Sequence, residues 1–156
     1  MEMEETYEQK KRRLFGKQHL PEYLEILGRL LRQQIHAQDL LSIVATDEFI
    51  RSTAYFKDIA PCYKKTIEFS DKTALKRILS DEVSDWNLPY TMYISGSLDC
   101  GLLVIPTLSW FDLDFSFDDD PGGLASFTRI DGEEHIVLDY YEERGTQYLE
   151  IQIKRK

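Results

Sequence analysis

The residues best placed to do chemistry lie in one stretch, 109–120, which reads Ser-Trp-Phe-Asp-Leu-Asp-Phe-Ser-Phe-Asp-Asp-Asp. Apolar and polar residues alternate through it, the pattern of a half-buried β-strand. On that reading Phe111, Leu113, Phe115 and Phe117 share one face, and Asp112, Asp114, Ser116 and Asp118 share the other. Successive carboxylates then stand about 7 Å apart, two residues at about 3.3 Å rise each. Two such charges repel by about 0.6 kcal/mol in water and about 2.4 kcal/mol at an effective dielectric near 20. Two outcomes follow. Either the ladder is solvated surface, or something positive belongs on it, in which case neutralising Asp112 and Asp114 weakens binding and leaves stability unchanged or higher.

Other chemistries are poorly supplied. Counted from Asp112, oxygen-bearing side chains recur at alternate positions, but the glycine and the bidentate glutamate of an EF-hand loop are replaced by Phe117 and Gly123. A weak, irregular cation site at Asp118, Asp119 and Asp120 is the most that remains. His19, His36 and His135 are far apart and form no H-x-H or H-E-x-x-H arrangement. Cys62 and Cys100 are not in a C-x-x-C pair and read as reduced thiols. Asp99 beside Cys100 raises its pKa, which works against a thiolate paired with His135. Ser95-Gly96-Ser97 reads as a turn and not a nucleophile elbow, and Gly122-Gly123 is too short to cradle phosphate. Metal-dependent nucleases set an Asp on one strand and an acidic-x-Lys on the next. Here Asp139 is followed by Gln152-Ile153-Lys154, with Gln in the acidic place and Glu150 nearby. No cofactor is expected.

The elements that must position these groups change character along the chain. Residues 1–17 are highly charged and read as an arm or a first helix. Their cluster Lys10-Lys11-Arg12-Arg13 is balanced by Glu2, Glu4, Glu5 and Glu8, which favours a solvated segment over contact with nucleic acid or lipid. Residues 20–86 read as mainly helical. Pro21 suits a first turn, and Leu20, Tyr23, Leu24, Leu27, Leu30 and Leu31 follow at helical spacing. Thr46-Asp47-Glu48 reads as the cap of a helix reaching about residue 59. Residues 63–69 suit a short strand, and Ser70 the cap of a helix carrying Leu75, Ile78 and Leu79. From 90 onward the pattern is β, with strands expected at 90–94, 102–105, 110–117, 124–130, 135–141 and 147–153, separated by turn residues such as Asp131-Gly132 and Arg144-Gly145. Connections this short suit antiparallel pairing. The expectation is a single α+β domain over 1–156, with N-terminal helices packed on one face of a C-terminal antiparallel meander of five or six strands over 90–153.

Charge limits function. The chain has 156 residues and a net charge of -9. Residues 1–80 carry 14 Lys/Arg and 12 Asp/Glu, whereas residues 81–153 carry 16 acids against Arg129 and Arg144 alone. Phosphate is repelled by the second half, so nucleic acid is excluded there as a partner, and a basic protein or a multivalent cation is favoured. No apolar run spans a membrane and no secretory signal is visible, so a cytoplasmic protein is expected. Alternation places Asp139, Tyr141, Tyr148 and Glu150 on the same outer face as Asp112 and Asp114. Acid with tyrosine is the composition of an interface for a basic partner. The expected partner-binding set is therefore Asp112, Asp114, Asp118, Asp119, Asp120, Asp139, Tyr141, Tyr148 and Glu150. The matching function is non-enzymatic: an acidic binding protein such as a bacterial immunity protein that neutralises a basic nuclease toxin. The alternative is a metal-dependent hydrolase using the carboxylates of 112–120.

Overall fold

A computed structural model describes residues 4–156; the opening Met1, Glu2 and Met3, including the expected balancing charge of Glu2, lie outside the described residues. In chain order the elements are α1 (Tyr7–Leu31), α2 (Ile43–Ser52), β1 (Tyr63–Glu68), α3 (Lys72–Glu82), β2 (Tyr90–Ile94), the single turn α4 (Ser97–Cys100), β3 (Leu103–Ile105), β4 (Leu124–Arg129), β5 (Glu134–Glu143) and β6 (Thr146–Arg155). The six strands form one open sheet in the order β1-β6-β5-β4-β2-β3, and every neighbouring pair is antiparallel. The class is α+β, as the sequence predicts. No helix among the described residues is long and apolar enough to cross a membrane.

Helix α1 begins at Thr6, whose side chain accepts from the Gln9 N–H while Gln9 answers the Thr6 N–H, a reciprocal capping box. The charged segment and the leucine stripe are thus one helix, and Pro21 lies inside it, not at its start. Proline there removes one backbone hydrogen bond. The helix persists because tertiary packing holds both sides of the proline: Gly16 lies against the Asp99 backbone, and Tyr23, Leu27 and Leu30 are buried in the core. Ser42, not Thr46, caps α2; Thr46 is fully buried and accepts the Leu102 N–H at 3.0 Å. Asp71, not Ser70, caps α3 by accepting from Ala74 N–H.

One face of the sheet meets α1 and α3. Leu27, Leu30, Leu75, Met92, Leu138 and Ile151 are fully buried there, each contributing about 1.5–3 kcal/mol by leaving water. The opposite face carries Thr91, Ser126, His135, Asp139 and Glu150, the alternate residues of the same strands. α2 and the 3₁₀ turn Ala54–Asp58 cover part of it.

The expected strand at 110–117 does not form. Residues 106–123 instead cross the helix-side face as a long connection with 3₁₀ turns at Leu108–Trp110 and Phe117–Asp119. Phe111 and Phe115 are buried, at 5% and 1% exposure, so the expected inward set is partly right. Their packing is aromatic: Phe115 meets Phe69, Phe111 and Tyr140 with ring centroids 5.2 Å apart. The backbone bends because its own polar side chains cap it. Thr107 Oγ1 accepts from the Ser109 N–H, Asp112 Oδ1 from the Asp114 N–H, and Asp119 Oδ2 from the Ser116 N–H.

Candidate functional site

The loss of that strand divides the expected partner-binding residues into two groups. Asp112, Asp114, Asp118, Asp119 and Asp120 lie on the helix-side connection. Asp139, Tyr141, Tyr148 and Glu150 lie on the opposite face of the sheet, since they alternate with the core residues Tyr140, Leu149 and Ile151. The single outer face that sequence alternation predicts is therefore corrected to two separate surfaces.

On the first surface the cation is the protein's own. Arg32 Nε donates to Asp112 at 2.6 Å, Lys76 Nζ pairs with Asp114 at 2.8 Å, and Arg29 donates to the Asp119 carbonyl at 2.9 Å. The Asp112 N–H also donates to the Leu30 carbonyl at 2.8 Å, tying the connection to the end of α1. At the centre is Lys72, which no sequence motif singles out. Its ammonium sits over the rings of Phe69 and Phe115, 3.7 and 4.2 Å from their centroids, and donates to the Phe115 carbonyl at 2.6 Å. Burial pushes Lys72 down to about 8, against the pull of Asp114, Asp112 and Asp119 in the other direction. Asp120 is 2% exposed; it accepts from the Tyr140 hydroxyl and, at 3.0 Å, from the Gly122 N–H. Only Asp118 of this run is exposed without an ion pair among the described residues. The basic surplus of the first half therefore neutralises the acid of this segment within the fold.

No group of three or more His, Cys, Asp or Glu side chains is placed to hold a metal ion among the described residues. Among the described residues the carboxylates of 112–120 do not gather into one ligand set, since Arg32 and Lys76 hold Asp112 and Asp114 and Tyr140 holds Asp120. Cys100 gains no base: burial and then Asp99 push its thiol up to about 11, and His135 lines a different cavity. Both cysteines are free.

The second surface is open. Asp139 and Glu150 are direct partners across β5 and β6, and the neighbouring partners Tyr141 and Tyr148 bring their rings within 5.7 Å, tilted by 34°. Like charges directly opposed on one face destabilise a sheet; at about 5 Å the repulsion is about 0.8 kcal/mol in water. Burial and then Glu150 raise the pKa of Asp139. Glu150 has partial relief from Gln152 at 2.9 Å and Lys64 at 3.6 Å, whereas Asp139 is exposed and has no side-chain hydrogen bond or ion pair among the described residues. Glu68 and Glu143 extend the acid around the tyrosine pair on the same face.

Between this open face and α2 lies a cleft that no sequence motif announces, with His135 and the hydroxyls of the sheet on its floor. Comparison with protein-family models, curated proteins and solved structures finds no match to the chain. The class stands on the fold and its surfaces alone: an α+β domain with an internally neutralised acidic connection on one side of its sheet and an open acid-and-tyrosine face on the other.

Proposed function

We propose that the chain is a non-enzymatic binding protein whose open sheet face, centred on Asp139, Tyr141, Tyr148 and Glu150, takes a basic protein partner, and that it acts as an immunity-type inhibitor of a toxin such as a nuclease. The observation that carries this reading is the Asp139–Glu150 opposition. Asp112 and Asp114 on the other surface are matched by Arg32 and Lys76; here two carboxylates face each other at the cost of sheet stability, and Asp139 has no ion pair among the described residues. A lysine or arginine of the partner would supply that charge. The adjacent tyrosines supply rigid apolar area at low entropic cost. Nuclease clefts are basic because they hold phosphate, so an acidic face both steers the encounter and fills the cleft.

The test begins with capture of partners at low salt in the native host, followed by kinetics with the purified partner. A basic protein is expected, with an association rate that falls steeply between about 50 and 500 mM salt as the Debye length contracts from about 14 to about 4 Å. Asp139→Asn with Glu150→Gln is expected to slow association and leave folding stability unchanged or slightly higher. Tyr148→Ala is expected to speed dissociation. A partner that is not basic, or one that binds the double variant as well as the native chain, overturns the reading. Asp112→Asn serves as the internal control, since its carboxylate belongs to the other surface and is expected to leave the association rate unchanged.

A further inference from the structure

The cleft under α2 has a volume of about 340 Å³, within the range of small-molecule sites. Its walls are apolar: Phe49, Ile50 and Phe56 from the α2 side, Leu98 and Leu102 from the segment around α4. Its floor is the polar face of the sheet. Thr128 Oγ1 and His135 Nδ1 are 2.8 Å apart, and Phe56 stacks on the imidazole at 5.1 Å and 24°. The side chains of Tyr93 and Ser126 also line the cleft. No buried side-chain polar atom among the described residues lacks a partner, so where these hydroxyls are unpaired they reach the open cleft and can donate to a ligand there.

The charge of the cleft is opposite to that of the molecule. The chain carries -9, yet among the described residues no Asp or Glu lines this cavity, and its charged residues are Lys57 and Lys154. Lys154 Nζ donates one bond to the Phe56 carbonyl at 2.9 Å, which pins the turn over the sheet and leaves two N–H groups. Asp99, whose charge reaches Tyr93, is itself paired with Arg12 at 3.9 Å.

We propose that this cleft binds a small monoanionic amphiphile, an apolar body of about ten non-hydrogen atoms ending in a carboxylate. The size follows from the volume, at about 30 Å³ for each water-sized group. The apolar body lies among Phe49, Ile50, Phe56 and Leu98. The carboxylate accepts from these hydroxyls and faces the lysines. A cation is repelled by Lys57 and Lys154. A doubly charged phosphate finds no arginine fork here, and a neutral chain leaves the lysine charge unanswered. The site uses no residue of the acidic face, so the two proposals stand or fall separately.

The probe is octanoate, with ten non-hydrogen atoms, titrated into the full chain and followed by two-dimensional amide NMR. 1-Octanol and octylammonium serve as neutral and cationic counterparts. The expected result is saturable octanoate binding at about 1 mM or tighter, with shifts confined to α2, the turn after it and the strands beneath. Octanol is expected to bind about five-fold more weakly and octylammonium not at all. Lys57→Glu, at an exposed site, is expected to weaken octanoate about five-fold and leave octanol unchanged. Ala54→Trp, which fills the cleft, is expected to abolish both; should it fail to fold, Lys57→Glu decides alone. The proposal is overturned by absent or non-saturable octanoate binding, by shifts mapping elsewhere, by octanol binding as tightly as octanoate, or by a Lys57→Glu variant that binds octanoate as well as the native chain.

Discussion

Lowering the pH is expected to destabilise the fold through one imidazole. His135 lies under Phe56 with Lys154 nearby, and burial followed by the Lys154 charge brings its pKa down to about 4 from an ordinary 6.5. The fold therefore holds this histidine neutral, while the unfolded chain protonates it. For a group whose folded pKa is depressed, stability is fully present above the unfolded value of about 6.5. It is lost as pH falls toward about 4, and the loss stops below that. Integrating proton uptake between these limits gives a loss of about 2 kcal/mol from pH 7 to pH 5. In a chain of this size that is about 4–8 °C in melting temperature. Carboxylates titrate in the same range, so the measurement is a difference. Native chain and His135→Gln are unfolded in urea at pH 7 and at pH 5. The variant is less stable at pH 7, having lost the stack on Phe56, but its deficit is expected to shrink by about 2 kcal/mol at pH 5. Parallel pH profiles for the two proteins, or a native chain that gains stability on acidification relative to the variant, refute the assignment of a neutral buried imidazole.

Further outcomes follow from the other packed groups. Asp112→Asn is expected to cost about 1 kcal/mol in urea unfolding, because Asp112 holds Arg32 and caps Asp114; this reverses the unchanged or higher stability expected of a partner-binding ladder. Tyr140→Phe leaves the buried Asp120 carboxylate without its hydroxyl donor and is expected to cost about 1–3 kcal/mol by the same measurement. Gly16→Ala drives a methyl group into the Asp99 backbone where α1 crosses α4; it is expected to lower the melting temperature although alanine is the better helix former. Millimolar calcium, magnesium or manganese is expected to leave the melting temperature unchanged, and a rise of several degrees abolished by Asp118→Asn with Asp120→Asn would restore the metal reading.

The β half was legible wherever alternation and turn chemistry agreed. Tyr90–Ile94 is a strand as expected, and Arg144-Gly145 turns β5 into β6 with both residues at positive φ, 52° and 81°. At 110–117 they disagreed and alternation was the wrong guide. The segment buries Phe111 and Phe115 with the spacing of a strand, but Thr107, Asp112 and Asp119 bind backbone N–H groups two or three residues away, and such side chains compete with a ladder. Their density was the available signal, together with Pro106 before them. Thr46 was misread for a related reason: its hydroxyl serves a backbone group 56 residues away, not the start of its own helix. Asp139, Tyr141, Tyr148 and Glu150 were placed together by the simple period of two, which held because β5 and β6 are regular. Lys72 and the cleft were illegible, since each is assembled from segments whose meeting depends on tertiary packing.

The place of β6 in the sheet has a consequence for biosynthesis. Residues 146–155 form an interior strand, bonded to β5 on one side and to β1, made some 80 residues earlier, on the other. Until the ribosome has released that segment, β1 has no neighbour and the apolar sides of Ile67, Leu138 and Ile136 have nothing to complete their layer. The sheet of the nascent chain therefore stays unclosed until β6 has emerged, with strand edges unpaired in the interval. A premature stop early in β6 therefore leaves both β1 and one edge of β5 without a neighbour.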